Sequence, residues 1–453
     1  MTTDTTTRTP LDGTQRLLAV GLVLGVTLVA FEATAIITAL PTITDDLGGD
    51  SLYGVTLATY TLANLVALVA AGRYADRNGP LPTFLISIGV FITGLLVSAI
   101  APSMAVVVLG RALQGAGAGG FAPIAYVLVK RAFPEDRQAM MYVYLSAGWV
   151  LPSLIAPAFG GIVTEQFGWR WVFAGIIPLA LAVGALASVP MRRFGPSEHE
   201  PDPADANRVL IAFGASSGVG LFIIGLRASN IVVLAIAVVA GAALAVPMLR
   251  RLLPPGVATA RTGQPAVLAC RFLATATFIG IDGFVPLAAD RIHGASPIQQ
   301  GFTIIGAALT WTGGQALVAR RPDLAPAVAV RLGFFMLLLG TVLVIPVLLD
   351  GWPLWATFLG WSVGGFGMGI IYNPTTVAAM SYAGDGREGL VSSQVQLIDA
   401  LGFSVMGGVG GAIIAIADRT SFALRDALLV CFCMSVACAA AGIVAARGVR
   451  RAA

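Results

Sequence analysis

Three carboxyl groups sit where a water-soluble protein would not leave them. Of 23 Asp and Glu in the 453-residue chain, Glu32, Asp282 and Asp399 fall well inside long apolar stretches, and Arg111 joins them there. An ionised group at the middle of a bilayer costs at least about 2.5 kcal/mol, so each of these must face a cavity or a partner. Two chemistries suit them. A carboxyl can take up and release a proton as access alternates between the two faces of a membrane, or it can form a static pair, such as Glu32 with Arg111, that holds helices together. Asp399 is the most readily read as structural. Arg271, at the edge of its stretch, reads as an anchor at the membrane interface and not as a cavity residue.

Other chemistries are excluded by count. The two histidines, His199 and His293, lie in polar connections, so no histidine cluster can hold a catalytic metal. Cys270, Cys431, Cys433 and Cys438 lie in or beside apolar segments and read as small core side chains, not as disulfides or a redox pair. No enzyme activity, metal or cofactor is expected. The net charge of +4 is spread over short loops, which is not a nucleic-acid footprint. Residues 1–16 are Thr-rich and polar, and the apolar run after them is too long for the core of a cleavable signal. Phe31, Tyr60, Trp149, Trp311 and Trp361 lie in apolar stretches. Rings there usually face lipid or neighbouring helices, but they can also line a cavity and hold cations through their faces.

The elements that must position these residues are membrane helices. With 57% hydrophobic and 11% charged residues and a mean hydropathy of +0.87, the chain lacks the polar atoms to cover a water-facing surface. Fourteen segments approach the roughly 20 apolar residues needed to span a bilayer. They are 17–41, 51–72, 83–101, 104–129, 139–163, 171–190, 209–226, 230–249, 266–289, 299–319, 332–349, 354–380, 390–417 and 422–446. Backbone groups in lipid must be satisfied within a segment, so each is expected to be helical. A turn at Arg227–Asn230 separates the seventh from the eighth. With both termini in the cytoplasm, 20 of the 27 Lys and Arg lie on the cytoplasmic side and 5 on the other, as the positive-inside rule requires.

The chain also repeats itself at an offset of 250. Gly110, Gly115, Gly117 and Gly119 map onto Gly360, Gly365, Gly367 and Gly369; Gly160-Gly161 onto Gly410-Gly411; Arg137 onto Arg387; and Glu32 onto Asp282. The repeat equates the first six spans with the last six in parallel orientation, leaving spans seven and eight as an inserted hairpin. Duplicated bundles of this kind suit a transporter whose halves rock about a central site. Glu32 and Asp282 would then flank the central cavity.

Several motifs sit on this frame. Gly72 to Gly79 reads G-R-Y-A-D-R-N-G. Gly72 would allow a helix to approach closely, and Asp76 could accept bonds from a helix N-terminus of the other half, where the dipole favours an anion. Such a contact would hold a cytoplasmic gate closed, with Arg77, Gly79 and Arg137 in the same gating set. In the fifth span Pro152 and Pro157 remove backbone donors, while Gly148, Gly160 and Gly161 admit neighbouring helices. Gly115-x-Gly117-x-x-Gly120 matches a dinucleotide fingerprint in form, but it lies inside an apolar helix with no strand before it, so it reads as helix packing.

These motifs resemble the major facilitator superfamily and, within it, the fourteen-helix drug:proton antiporters. The 72–79 loop is similar to the superfamily's loop 2–3 signature. F-E-A-T-A-I-I-T-A-L-P from Phe31 resembles the branch's first-helix motif, Arg111-x-x-Gln114-Gly115 its fourth, and Gly148-x-x-x-Pro152…Ala156-Pro157-x-x-Gly160-Gly161 its antiporter motif. Pro80-Leu81-Pro82, Ala156, Glu32 and Ile37 depart from the usual residues. The resemblance implies an all-α major facilitator fold with a tail at 1–16, a six-helix bundle at 17–190, a linker and two inserted helices at 191–265, a second bundle at 266–446 and a tail at 447–453. It implies a monomer in the plasma membrane, expected to be a bacterial inner membrane, that exports lipophilic small molecules, cations among them, in exchange for protons. On this reading Glu32, Asp282, Arg111 and Asp399 couple protons, and Gln114 joins the five rings in the substrate cavity. The alternatives are an exporter dedicated to one metabolite or natural product and, in another class, a membrane enzyme or scaffold.

Overall fold

The computed structural model describes residues 9–48, 52–196, 207–226, 231–321, 323–384, 386–417 and 422–452. Part of the linker, the turn at 227–230 and His199 lie outside them. Two compact units divide the chain, Met1–Asp202 with Ala383–Ser393, and Pro203–Tyr382 with Gln394–Ala453. The first holds α1 (Gly13–Leu47), α2 (Tyr53–Asn78), α3 (Pro80–Ala99), α4 (Met104–Ala118), α5 (Phe121–Ala132), α6 (Glu135–Phe167), α7 (Arg170–Ala174) and α8 (Ile176–Met191). The second holds α9 (Arg208–Leu226), α10 (Ile231–Leu252), α11 (Gln264–Asp282), α12 (Val285–His293), α13 (Pro297–Ala319), α14 (Pro326–Val344) and α15 (Leu354–Ser381), with α17 (Leu424–Ala445). Helix α16 (Glu388–Ala417) begins in the first unit and continues in the second.

Among the described residues, twelve helices are long and apolar enough to cross a membrane. Helix α6 is not among them, since several of its side chains lie outside the described set, and the apolar run Arg208–Ile223 is shorter than the rest. The protein is an all-helical, multi-pass membrane protein.

Several segments expected to be single helices are divided, and the residues explain why. The 104–129 segment breaks at Gly119-Gly120, where two residues without side chains precede Pro123. Its repeat partner α15 runs unbroken, with Ile370 in place of the second glycine and Asn373 in place of Pro123. The 266–289 segment breaks at Gly283-Phe284, with Pro286 in the first turn of α12. The counterpart of Pro286 in α1 is Ile36, and α1 continues past the expected end at 41 to Leu47, with Pro41 inside it. The 171–190 segment is split at Gly175 into α7 and α8.

The duplication is preserved in packing. Helix α4 packs on α2 and α3, and α15 packs on α13 and α14; α1 packs on α8, and α11 on α17. The matched glycines make these contacts. A Cβ on Gly119 would lie 2.6 Å from the Asn64 carbonyl of α2, and one on Gly369 would lie 2.9 Å from the Gln315 amide of α13. At the Gly-Gly pairs the first residue is crowded and the second open in both copies. A Cβ on Gly160 would meet the Ala35 carbonyl at 2.6 Å, and one on Gly410 would run into the Phe284 ring, whereas Gly161 and Gly411 have nothing within 4 Å. Ala35 and Phe284 stand one position from the same 250 offset.

At the end of α1, Asp46 accepts from Trp169 Nε1 at 3.0 Å and pairs with Arg170 at 3.2 Å. The Trp169 bond first, then Arg170, holds this carboxyl below the usual carboxylate range. The clamp is therefore complete above that range and lost as pH falls through the lowered value.

The paired glycines give a direct test of packing. Gly160→Ala should lower the melting temperature of the purified protein, since overpacking a close contact costs about 1–3 kcal/mol. Gly161→Ala should leave it unchanged or raise it. Equal effects of the two substitutions on a thermal melt would remove the distinction.

Candidate functional site

The first unit buries an ion pair between α1 and α4. Glu32 and Arg111 are 1% and 2% exposed, and Arg111 Nη1 donates to Glu32 Oε1. One turn along α4, Gln114 Oε1 accepts from the same nitrogen at 2.6 Å. Gln114 is itself oriented from α3, donating to Ser98 Oγ at 3.0 Å and to the Gly94 carbonyl at 3.2 Å. The Arg111 guanidinium lies 4.2 Å above the Tyr60 ring of α2. Two atoms are left over: Glu32 Oε2 and Arg111 Nε are buried without hydrogen-bond partners. The carboxyl is thus half satisfied, with one oxygen paired and the other without a partner.

The second unit holds the other two acids in different surroundings. Asp399 is fully engaged: Arg271 Nε donates to Oδ1 at 2.9 Å, Arg271 Nη2 donates to Oδ2, and Tyr372 Oη donates to Oδ2 at 2.7 Å. Arg271 also donates to Thr376 Oγ1 at 2.7 Å and lies 3.5 Å over the Tyr372 ring. The expectation that Arg271 anchors at the interface is corrected here. It is 0% exposed, because Asp399 one helix away supplies the counter-charge that makes its burial tolerable. Asp282 is half-buried and accepts from Trp361 Nε1 at 2.8 Å. Trp361 packs at 5.1 Å on Phe278, Phe278 at 5.1 Å on Trp311, and Trp311 at 5.0 Å on Tyr372.

A third cluster lies where α2 ends. Asp76 accepts from the backbone amides of Gly389 at 2.8 Å and Leu390 at 3.0 Å, in the first turn of α16. Arg131 pairs with Glu388 at 2.9 Å and stands 3.9 Å from Asp76. Gly72 and Gly389 meet backbone to backbone, so a side chain on either would displace the segment. Gly79 has φ +89°, and a Cβ there would lie 3.0 Å from Gly195. Arg77 is exposed. Arg137 donates to the Thr9 carbonyl at 2.7 Å, tying the segment before α1 to the start of α6.

The remaining expected residues are dispersed. In α6, a Cβ on Gly148 would lie 3.1 Å from Thr27 Oγ1 and Pro152 is buried, while the side chains of Pro157 and Ile37 lie outside the described set. Phe31 meets Phe159 at 5.3 Å, and Trp149 is half-exposed. Reading the residue types missed Arg131, Glu388, Arg271, Phe278 and Tyr372 as site members. For the partner of Asp282 a signal was present, since the shift that maps Glu32 onto Asp282 also maps Arg111 onto Trp361.

Comparison with known proteins agrees with this architecture. The chain is 28% identical over 449 residues to a "Probable multidrug-efflux transporter" of Mycobacterium tuberculosis, covering 93% of this chain and 92% of that protein. It is 30% identical over 181 residues to "Multidrug resistance protein 3" of Bacillus subtilis, covering 40% of this chain and 35% of that one. In structure it is similar to the human organic anion transporter MFSD10, with a TM-score of 0.72 at 15% identity, covering 96% of this chain and 100% of that one. Residues 22–407 match the model of the Major Facilitator Superfamily, and with its duplicated helical packing the chain belongs to that family of transporters.

Proposed function

We propose that this protein exports lipophilic small molecules, cations among them, in exchange for protons. On this reading the chain has fourteen membrane crossings, with α9 and α10 as a hairpin inserted between two six-helix bundles and both termini in the cytoplasm. The names of its relatives support multidrug efflux, and the distribution of Lys and Arg supports the orientation.

The observation that carries the reading is the half-satisfied Glu32 carboxyl beside Arg111. Protonation of Glu32 cancels its charge and leaves Arg111 with Gln114 and the face of Tyr60. The buried site then changes from neutral to a net positive charge. In a low-dielectric interior this disfavours a second cation, so proton and cationic substrate exclude one another. Mutual exclusion at alternating access is antiport. One proton exchanged for one monovalent cation moves no net charge, so the pH gradient drives export, at about 1.4 kcal/mol per pH unit. Asp399, with both oxygens engaged, serves to position α11, α15 and α16.

The Asp76 cluster supplies the gate. Its carboxylate sits on two amides at the N-terminus of α16, and that segment moves when they are released. Arg131 and Glu388 hold the same turn from the side.

Three experiments test these assignments. In proteoliposomes with an imposed pH gradient, Glu32→Gln should abolish concentrative efflux while sparing downhill exchange; accumulation against the gradient by this variant would make Glu32 structural. Asp76→Asn removes a charge–dipole attraction of about 0.3–2 kcal/mol and should speed hydrogen exchange at Gly389 and Leu390. Unchanged protection there would count against the gate. A cysteine at Ala228 should label only from outside the cell and one at Gly384 only from the cytoplasm; labelling of both on one face would overturn the fourteen-crossing topology.

A further inference from the structure

One strongly charged face of the second unit takes no part in the export proposed above. Arg250 and Arg251 end α10, Arg261 lies in the loop before α11, and Arg447, Arg450 and Arg451 follow α17. All six are exposed. The sequence has no Asp or Glu from Ile231 to Ile281, nor from Ala427 to Ala453. Among the described residues none of the six pairs with an acid. The corresponding ends of the first unit mix their charges: Asp12 caps α1, Asp136 accepts from the Thr9 amide, and Glu388 pairs with Arg131.

The three segments that carry these arginines are fastened to one another. Gln394 Nε2 donates to the Leu252 carbonyl at 2.8 Å and Gln394 Oε1 accepts from Gln264 at 3.1 Å, which joins the end of α10 to the start of α11. The Gly263 amide donates to the Gly448 carbonyl at 2.9 Å. Tyr382 Oη donates to the Arg450 carbonyl at 3.0 Å, and a Cβ on Gly263 would lie 3.3 Å from the same oxygen. The Ala452 amide donates to Ser381 Oγ at 2.9 Å, so the backbone is tied down on both sides of Arg451. In the loop, Ala260 has φ +48°, the one positive φ outside glycine among the described residues. Such a conformation persists only where its surroundings over-determine it. The Arg261 stem lies across Gly256, where a Cβ would come within 2.6 Å of Arg261 Cδ.

We propose that these arginines bind the headgroup of an anionic lipid, with its acyl chains along α10. This goes beyond the export reading and does not rest on it, since it requires only that α10 lie in the membrane. Six like charges held close together repel, and the protein supplies no counter-charge among its described residues. A membrane surface rich in anionic lipid supplies one, and basic residues at a helix end meet it at headgroup level. Helix α10 places the acyl chains: Val232, Val233, Ile236 and Val239 are each more than half exposed, and the same helix ends in Arg250 and Arg251. A phosphate diester fits because guanidinium groups bond its oxygens in pairs.

The test is native mass spectrometry of the purified full-length protein titrated with phosphatidylglycerol, which is anionic, or phosphatidylcholine, a zwitterion with the same phosphate diester. The unaltered protein should retain phosphatidylglycerol in preference to phosphatidylcholine. Changing Arg250, Arg251, Arg450 and Arg451 together to Gln should weaken phosphatidylglycerol binding by at least ~10-fold and leave phosphatidylcholine unchanged. If that variant does not fold, Arg250→Gln with Arg251→Gln decides alone by the same criterion. Arg320→Gln with Arg321→Gln removes two exposed charges between α13 and α14 and should leave the affinity as it was. Inorganic phosphate at the lipid's concentration should not displace the lipid. Equal retention of the two lipids by the unaltered protein, or undiminished phosphatidylglycerol binding by the Gln variant, would overturn the site. So would an equal loss in the Arg320 and Arg321 variant, which would show general surface attraction, or displacement by phosphate, which would show a site for free anions.

Discussion

Neutralising charge away from water is the constraint on which the rest of this structure depends. The bilayer accepts apolar helices at almost any sequence, but a carboxylate or guanidinium within it must find a counterpart or a cavity. Arg111 and Arg271 are both almost entirely buried, and each lies against a carboxyl, a ring and a further acceptor. Each arrangement also fixes which helices lie side by side: α1 with α4 and α2 in one unit, α11 with α16 and α15 in the other. Charge pairing and helix arrangement are therefore one problem with one solution.

Glycine supplies the geometry that lets the solution repeat. Helices in lipid gain little from hydrophobic burial against each other, so close backbone contact and dispersion must hold them. The matched glycines of α4 and α15 bring each helix onto two neighbours at distances no side chain would permit. Because the same glycines recur at a fixed offset, α4 and α15 pack on corresponding neighbours in the two units. The break at Gly119-Gly120 has no counterpart in α15, where Ile370 and Asn373 stand at the positions of Gly120 and Pro123.

Much of this was legible in the residues. Apolar length and the absence of charge mark the helices, and the offset of 250 marks the duplication, because both are local or strictly periodic signals. Glu32 paired with Arg111 was one of two arrangements the residues left open, since both charges lie inside apolar stretches. Arg271 misled, because its position near a segment edge suggested water within reach. Its partner Asp399 lies 128 residues away and neither has a charged counterpart at the offset, where Gly21 and Trp149 stand. The helix breaks were also missed, since hydropathy does not register a glycine pair within an apolar run. Backbone acceptors and donors were equally invisible, so the two amides on Asp76 followed from no side-chain pattern.

The divergence between the two units then acquires a physical meaning. A duplicated protein with identical halves would carry two equivalent acid–guanidinium pairs, and both would answer a proton in the same way. Replacing one guanidinium by an indole at the position of Trp361 breaks that equivalence at the smallest structural cost, since the indole still donates one hydrogen bond and still fills the volume. What is lost is charge alone. One acid keeps an internal cation, whereas the other keeps its rings and a single neutral donor.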